Sequence, residues 1–252
     1  MITIKSHSEI EKMRAAGKLT GLTLVEVAKH IKPGVSTAYL DKIAHDFITA
    51  HGATPSFLHY NGYPASICAS VNDAVVHGIP SKEIILKEGD IISIDVGAYI
   101  NGYHGDAART YGVGKISPEA QRLIDVTKKS FFKGIKNATH GAKLGDISAA
   151  VQEYVEDNGY SVVRDLVGHG IGRNMHEDPS VPNYGHKGKG VKLAAGMTLA
   201  VEPMVNAGEY DVVVENDDWT VVTEDGSLSA HYENTILITR GEPEILTLYD
   251  EV

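Results

Sequence analysis

The chain contains almost no cysteine and no long apolar segment. Cys68 is the single cysteine among 252 residues, which excludes an intramolecular disulfide and a cysteine-based zinc finger. No stretch approaches the roughly 20 apolar residues of a membrane span, and the N-terminus MITIKSHSEIEKMR lacks the apolar segment of a secretion signal. These absences predict a cytoplasmic protein that has no membrane association.

Basic residues are also scarce. There are 23 Lys and Arg against 33 Asp and Glu, a net charge of −10, which argues against a general nucleic-acid binder, and no specific nucleic acid is expected as a partner. The one basic cluster contains Lys187, Lys189 and Lys192 in a glycine-rich segment. Such loops are usually solvated, and a transient contact with ribosomal RNA is the alternative interpretation.

Two aspartates stand in one predicted β-hairpin. Asn101-Gly102 separates the runs IISIDVGAYI and YHGDAART, and an Asn-Gly pair between apolar runs is the strongest short-range hairpin signal. If this pair forms the turn, Asp95 faces Ala108 and Asp106 faces Gly97. Because side chains alternate along a strand, both carboxylates then share a face about 7–8 Å apart or less. Such carboxylates repel each other unless a cation lies between them.

Three further side chains supply the remaining ligands of a metal site. His169 lies in VGHGIG, Glu202 ends the run MTLAVE, and Glu233 begins ENTILIT. With Asp95 and Asp106 they form a set that suits two divalent ions such as Co, Mn, Fe(II) or Zn. Taken singly, each acid is more often an ion-paired or hydrogen-bonded core residue.

The helical pattern occurs twice along the chain. A shift of 107 residues brings Gly34 onto Gly141 and Gly52 onto Gly159, and each half begins with two helix-like segments that are followed by strands. The predicted helices are 7–31, 36–50, 117–137 and 143–157. The predicted strands are 67–71, 91–99, 103–111, 161–167, 197–202, 212–214, 219–223 and 233–239. This order predicts an α+β protein in which central antiparallel strands have helices outside.

Five motifs, in this order along the chain, resemble those of one enzyme family. They are HGIP at 77–80, EGDIISIDVGAYINGYHGDAART at 88–110, GHGIGRNMHE at 168–177, GMTLAVEP at 196–203 and HYENTILIT at 231–239. The chain resembles bacterial type I methionine aminopeptidases from end to end. The resemblance implies a "pita-bread" fold, a single catalytic domain over 1–252 with pseudo-symmetric halves of about 1–114 and 115–252, and a monomer.

The resemblance also implies the activity and the roles of the metal ligands. The expected reaction removes the N-terminal methionine of nascent polypeptides when the second residue is small. Asp95 is expected to chelate the second metal and His169 and Glu202 the first, while Asp106 and Glu233 bridge both. The resemblance also implies that oxygens of Asn72, Ala74 and Ser229 hold a monovalent cation.

Three residues are expected to act on the substrate. Glu202 transfers the proton from the attacking water to the leaving amine. His176 donates to the carbonyl oxygen as negative charge develops there, and His77 contacts the backbone beyond the scissile bond. From the sequence alone, His77 reads as a turn histidine beside Gly78, and the resemblance reverses that interpretation.

An apolar, sulfur-tolerant pocket is expected to hold the methionine side chain. By the resemblance, its walls are Phe57, Tyr60, Tyr63, Cys68, Met175 and Trp219. His77 and His176 are also expected to bind the substrate. Phe57 departs from the small residue or cysteine of many relatives, which leaves the detailed pocket shape open. Such aromatic residues are also common in ordinary protein cores.

Three other functions are considered. The Asp95-Val96-Gly97 segment is similar to the catalytic turn of aspartic proteases, which need a second such turn, but the other Asp-x-Gly-like candidates of this chain lie in loops of the wrong character. A proline-directed aminopeptidase or dipeptidase of the same fold is the main alternative, although such relatives usually carry an additional N-terminal domain. A binding protein without activity is the third, and such proteins usually lose metal ligands.

Overall fold

The computed structural model describes residues 1–249, and these contain four α-helices. The helices are α1 (His7–Ala28), α2 (Thr37–Ala50), α3 (Pro118–Ile135) and α4 (Leu144–Asp157). The four predicted helices are therefore confirmed, with ends that differ by at most three residues. A short 3-10 turn spans Tyr60–Gly62.

The helix ends follow from local chemistry. The hydroxyls of Ser6, Ser36 and Ser117 each accept a hydrogen bond from a backbone N–H in the first turn of α1, α2 and α3, as helix N-caps do. Beyond the ends of α2 and α4, Gly52 and Gly159 have φ of 71° and 80°. This left-handed conformation terminates a helix and favours glycine.

The strands are short except for the central hairpin. In the first half they are β1 (Thr54–Pro55), β2 (Ile67–Val71), β3 (Ala74–Val76), β4 (Ile91–Ile100) and β5 (Tyr103–Gly112). In the second half they are β6 (Ser161–Val162), β7 (Gly168–Gly170), β8 (Glu177–Val181), β9 (Thr198–Val201), β10 (Met204–Asn206), β11 (Val212–Val214), β12 (Val221–Thr223), β13 (Ser229–His231), β14 (Asn234–Leu237) and β15 (Glu244–Ile245).

Two antiparallel sheets form the centre of the molecule. In the first, β4 pairs with β5 on one side and with β1 and β2 on the other. The second has the order β15-β14-β9-β7-β8. Two three-stranded sheets, β13-β10-β6 and β11-β12-β3, complete the described part of the chain.

The register of the hairpin agrees with the sequence-based prediction. Asp95 pairs with Ala108 and Gly97 with Asp106, so the two carboxylates occupy diagonal positions on one face. The turn residues Asn101 and Gly102 have φ of 55° and 83°, as a type I′ turn requires.

The hairpin also joins the two halves of the chain. Glu233 N donates to Ala108 O over 2.9 Å, and Ala108 N donates back to Glu233 O over 3.3 Å. The Thr235 hydroxyl accepts from Asp106 N and donates to Asp106 O. Strand β5 of the first sheet is therefore fixed against the start of β14 in the second.

Each half has its own apolar core beneath its helix pair. In the first half, the core includes Leu40, Ala44, Ile48, Ile92 and Ile94. In the second half, it includes Phe131, Ile147, Leu199, Val201 and Ile236. The helices thus lie outside and the strands inside, as the order of the predicted elements indicated. None of the helices in residues 1–249 has the length and apolarity that crossing a bilayer requires.

The strand prediction for 161–167 is largely wrong. Only Ser161 and Val162 form a strand there, and the next strand begins at Gly168. The backbone N–H of Val163 donates to Met204 O, after which the chain turns toward the cavity lined by Leu166 and Val167. Tertiary pairing overrides the β propensity of this run.

Helix α1 packs closely against neighbouring backbone segments at Gly17. A Cβ atom added to Gly17 would lie 2.4 Å from Leu246 O, and one added to Gly105 would lie 2.8 Å from Gly17 N. Since the neighbours are backbone atoms, no side-chain rotation relieves either contact.

We expect Gly17→Ala to destabilise the fold by about 1–3 kcal/mol, the usual cost of overpacking, despite the higher helix propensity of alanine. Denaturant unfolding measures this change. Gly241→Ala is the control, because the nearest atom to its added Cβ lies 4.0 Å away. Equal stability of the two variants would contradict the assigned packing of α1.

Candidate metal centre

The five predicted metal ligands line a single cavity of about 300 Å³. Asp95 and Asp106 come from the hairpin β4–β5, and His169 lies in the middle of β7. Glu202 directly follows β9 and Glu233 directly precedes β14. The structure thus brings together residues that are scattered over more than half of the chain.

The ligand atoms lie at distances that suit shared ions. One ligand atom each from Asp106, His169 and Glu233 lies within 4.8 Å of the other two. The Nε2 atom of His169 is 3.6 Å from Asp106 Oδ2 and 3.8 Å from Glu202 Oε1. Metal–ligand bonds of about 2.0–2.2 Å place two ligands of one ion at such separations.

The carboxylates are buried together, which is unfavourable without a cation. Burial, and then the charges of the neighbouring carboxylates, raise the pKa of Asp95, Glu202 and Glu233 above the usual range. Burial raises the pKa of Asp106 to about 7. Within residues 1–249, Asp95 Oδ1, Asp106 Oδ1 and Glu233 Oε1 are buried without a hydrogen-bond partner. Divalent cations would compensate both the charge and the unpaired oxygens.

The orientation of His169 also fits a metal ligand. Its Nδ1 lies 2.8 Å from Gly170 O, and because a carbonyl only accepts, Nδ1 carries the hydrogen. The lone pair of Nε2 therefore points toward the carboxylates. Burial lowers the pKa of His169 to about 4, so the imidazole is neutral, as metal binding requires.

The glycines beside His169 allow β7 to lie between two close strands. A Cβ at Gly168 would be 2.4 Å from Ala200 O, and one at Gly170 would be 2.2 Å from Asp178 O. Glycine at both positions therefore permits a close backbone approach on either side of His169.

His77 and His176 line the same cavity. His77 has φ of 58°, a conformation uncommon for a non-glycine residue and frequent at functional sites. The Nδ1 of His176 lies 2.8 Å from the Tyr60 hydroxyl. Burial raises the pKa of Tyr60, so the phenol keeps its proton. In the His176 tautomer with hydrogen on Nε2, Nδ1 accepts from this hydroxyl and the Nε2–H is left to donate elsewhere.

A buried ion pair supports the loop that carries His176. Lys5 Nζ lies 2.7 Å from Glu177 Oε2, and both side chains are under 10% exposed. The other oxygen of Glu177 accepts from the backbone N–H of Asn174. A Cβ at Gly172 would lie within 2.8 Å of both charged groups, so only glycine lets the pair pack beneath this loop.

The predicted methionine pocket is contiguous with the acidic centre. All six of its predicted walls line the cavity: Phe57, Tyr60, Tyr63, Cys68, Met175 and Trp219. The Tyr63 and Trp219 rings meet edge to face at 5.1 Å. Burial and the charge of Asp95 raise the pKa of Cys68, so its thiol remains neutral and apolar.

Two other predicted groups lie outside the cavity. Ser229 N donates to Asn72 O over 2.9 Å, which brings two of the suggested monovalent-cation residues together. Lys187 pairs with Glu153 at 2.9 Å on the exposed surface.

The sequence analysis did not identify His231, which also lines the cavity. Its Nε2 lies 3.9 Å from Glu233 Oε2 and 4.0 Å from Glu202 Oε2. His231 and Glu233 are two residues apart, and residues at this spacing share one face of a strand. The segment HYEN therefore contained a signal that His231 lies beside Glu233. The apolar wall formed by Leu166 and Met204 was also missed, because neither stands near a motif.

Comparison with known proteins identifies the family. Residues 11–240 match Metallopeptidase family M24. The chain belongs to this family. It is 62% identical to a methionine aminopeptidase of Clostridium acetobutylicum over 98% of this chain and 99% of the relative. The crystal structure of methionine aminopeptidase from Rickettsia prowazekii superposes with a TM-score of 0.97 at 50% identity, covering 98% of this chain and 100% of that one. The expected pita-bread fold is confirmed.

M24 membership excludes one of the alternative functions. An aspartic protease is wrong, because this family consists of metallopeptidases. A Xaa-Pro dipeptidase from Bacillus anthracis shares the fold with a TM-score of 0.80 at 24% identity, and this chain covers 63% of its length. That similarity concerns the fold alone.

We expect divalent metal to stabilise this M24 protein. Because burial raises the pKa of Asp106 from 3.8 to about 7, the metal-free fold loses stability as pH rises through this interval. A fixed Mn²⁺ concentration of 100 times the Kd at pH 5.5 adds about 2.7 kcal/mol at that pH, or about 5–10 °C in Tm, and the gain should grow toward pH 7.5 as Asp106 loses its proton. Thermal scans with Mn²⁺ and with a chelator measure it.

Asp106→Asn provides the comparison for this experiment. Replacing one carboxylate by an amide weakens the site for a cation, so the Mn²⁺-induced rise in Tm should shrink. An equal rise in both proteins would show that the stabilising metal binds elsewhere.

Proposed function

We propose that this protein removes the N-terminal methionine from nascent proteins and peptides whose second residue is small. The observation that carries the proposal is the contact between an apolar, thiol-lined pocket and a buried centre of four carboxylates and His169. Substrate side chain and reactive centre are thus adjacent in one cavity. The high identity to enzymes named methionine aminopeptidase supports the same reaction.

The five residues of the centre would hold two divalent ions. Asp95 would chelate one ion and His169 and Glu202 the other, with Asp106 and Glu233 bridging. When bound, such a pair lowers the pKa of water toward neutrality and polarises the scissile carbonyl. The acidic surroundings also favour a free terminal amine over a blocked one.

Glu202 is the residue we assign to proton transfer. Its carboxyl lies in the cavity and its pKa is raised by burial and then by the charges of Asp106 and Asp95, so it accepts a proton readily. Asn183 donates to Glu202 O over 2.9 Å and fixes its backbone. Glu202 would take the proton of the attacking water and deliver it to the leaving amine.

The two cavity histidines would act on the peptide bond. With its Nδ1 accepting from the Tyr60 hydroxyl 2.8 Å away, His176 would carry its hydrogen on Nε2, and this donor would stabilise the oxyanion that develops on the scissile carbonyl. His77 would contact the backbone beyond the cleaved bond. Together with Leu166 and Met204, it would restrict the second side chain to a small size.

His176→Ala should lower kcat by about 10²–10³-fold while metal content stays unchanged, because one oxyanion donor contributes on this order. Steady-state kinetics with Met-Ala-Ser and metal analysis of the purified variant test this. His186→Ala, at an exposed position outside the cavity, is the control. Loss of bound metal in His176→Ala would instead make His176 a ligand or a structural support.

Substrate choice gives an independent test. Met-Ala, Met-Gly and Met-Ser peptides should be cleaved, whereas Met-Leu and Met-Ile peptides should resist because His77, Leu166 and Met204 would crowd a larger second side chain. N-acetylated Met-Ala should resist as well, since its amide nitrogen carries neither charge nor a basic lone pair. Comparable kcat/KM for Met-Ala-Ser and Met-Ile-Ser, or faster cleavage of Ala-Pro substrates, would contradict the assignment.

We also propose which ions the enzyme binds and where it acts. The divalent ions would be Co, Mn, Fe(II) or Zn, and oxygens of Asn72, Ala74 and Ser229 would hold a monovalent cation. The enzyme would act as a monomer in the cytoplasm, with one catalytic domain over 1–252. The loop with Lys187, Lys189 and Lys192 would make a transient ribosome contact.

A further inference from the structure

His231 is a buried histidine at the metal centre to which the family resemblance gave no role. Its side chain is 2% exposed, and its Nε2 faces two carboxylate oxygens, Glu233 Oε2 at 3.9 Å and Glu202 Oε2 at 4.0 Å. Within residues 1–249, this nitrogen is buried without a hydrogen-bond partner. Buried polar atoms usually have a hydrogen-bond partner, so an unpaired one in this position indicates a functional role.

The backbone of His231 is held firmly in place. Its N–H donates to the Thr110 hydroxyl over 2.8 Å, and that hydroxyl donates to His231 O over 2.9 Å. Strand β13 also pairs His231 with Met204 of β10. The imidazole therefore projects into the cavity from a fixed backbone. His231 and His169 face different oxygens of Glu202, His231 the Oε2 atom and His169 the Oε1 atom.

The environment determines which nitrogen of His231 carries the hydrogen. A neutral imidazole has one N–H donor and one lone pair. In His169, the Gly170 carbonyl fixes the hydrogen on Nδ1, and Nε2 is left as a metal ligand. The polar contacts that fix His231 within residues 1–249 are made by its backbone. Two facing carboxylates then favour a hydrogen on Nε2, and a protonated Nε2 cannot ligate a metal.

We propose that His231 is a positioning residue of the metal centre, whose Nε2–H donates toward the Oε2 atoms of Glu202 and Glu233. The present separations exceed a hydrogen bond by about 1 Å, a gap that a side-chain rotation or one bridging water closes. Held in this way, Glu202 presents Oε1 toward His169, and Glu233 presents Oε1 to the ions. The inference rests on the metal-binding role proposed above for these residues.

Replacement of His231 by leucine and by glutamine tests the proposal. His231→Leu replaces the donor by an apolar side chain. Metal affinity should then fall about 10–100-fold, the usual effect of losing a residue that hydrogen-bonds to a metal ligand. The glutamine amide nitrogen reaches the place of Nε2, so His231→Gln should stay within about threefold of the parent. Calorimetric titration of the metal-free proteins with Mn²⁺ measures both, and thermal unfolding verifies that both fold.

Kinetics and spectroscopy separate positioning from other roles. At saturating metal, His231→Leu should lower kcat more than it changes KM, and His231→Gln should restore kcat. The visible spectrum of the Co²⁺-loaded protein should keep its band positions in His231→Gln, since no ligand is lost. His7→Gln, on the exposed first turn of α1, is the matched control and should match the parent throughout.

Each result has a distinct meaning. If the parent protein binds no divalent metal, the proposed function fails together with this inference. If the parent binds metal and His231→Leu binds it equally well, only the positioning role is overturned. If His231→Gln loses affinity as far as His231→Leu does and the Co²⁺ bands shift, His231 is a direct ligand, which also overturns the proposal.

Discussion

The mutual repulsion of the buried carboxylates is the constraint on which the site depends. Asp95, Asp106, Glu202 and Glu233 converge on one cavity. Burial raises the pKa of all four groups, and neighbouring charge raises it further in Asp95, Glu202 and Glu233. A fold gains nothing from such an arrangement by itself, because desolvated like charges destabilise it. The arrangement becomes favourable when cations occupy the centre, so that stability and metal binding are coupled.

The frame that holds this centre is the junction between the two sheets. Reciprocal hydrogen bonds between Ala108 and Glu233, and those of the Thr235 hydroxyl with Asp106, lock β5 onto the start of β14. The metal centre lies at this junction because each sheet contributes part of it. Neutral histidines surround it. The carbonyl of Gly170 fixes the tautomer of His169, and the hydroxyl of Tyr60 lies beside Nδ1 of His176.

Much of the architecture was predictable from local patterns. The Asn101-Gly102 turn predicted the register of the hairpin and the shared face of its two aspartates, because a two-residue turn and the strand period leave one solution. The four helices followed from apolar periodicity and from the glycines that end α2 and α4. The strand at 161–167 failed because its pairing depends on β10, which lies some 40 residues further along the chain. Short strands of this kind are specified by tertiary partners more than by propensity.

The sequence by itself determined the chemistry of the site: which carboxylates and histidines are present, their order in motifs, and the hairpin that aligns Asp95 with Asp106. Tertiary structure alone decided which of these groups meet and in what state. His231 illustrates the difference. Its spacing from Glu233 can be read from the sequence. Its approach to Glu202 arises only when β13 pairs with β10 and the Thr110 hydroxyl forms hydrogen bonds with the His231 backbone. Long-range contacts between strands carry no local sequence signal, because each strand's periodicity fixes its faces and leaves its neighbours open.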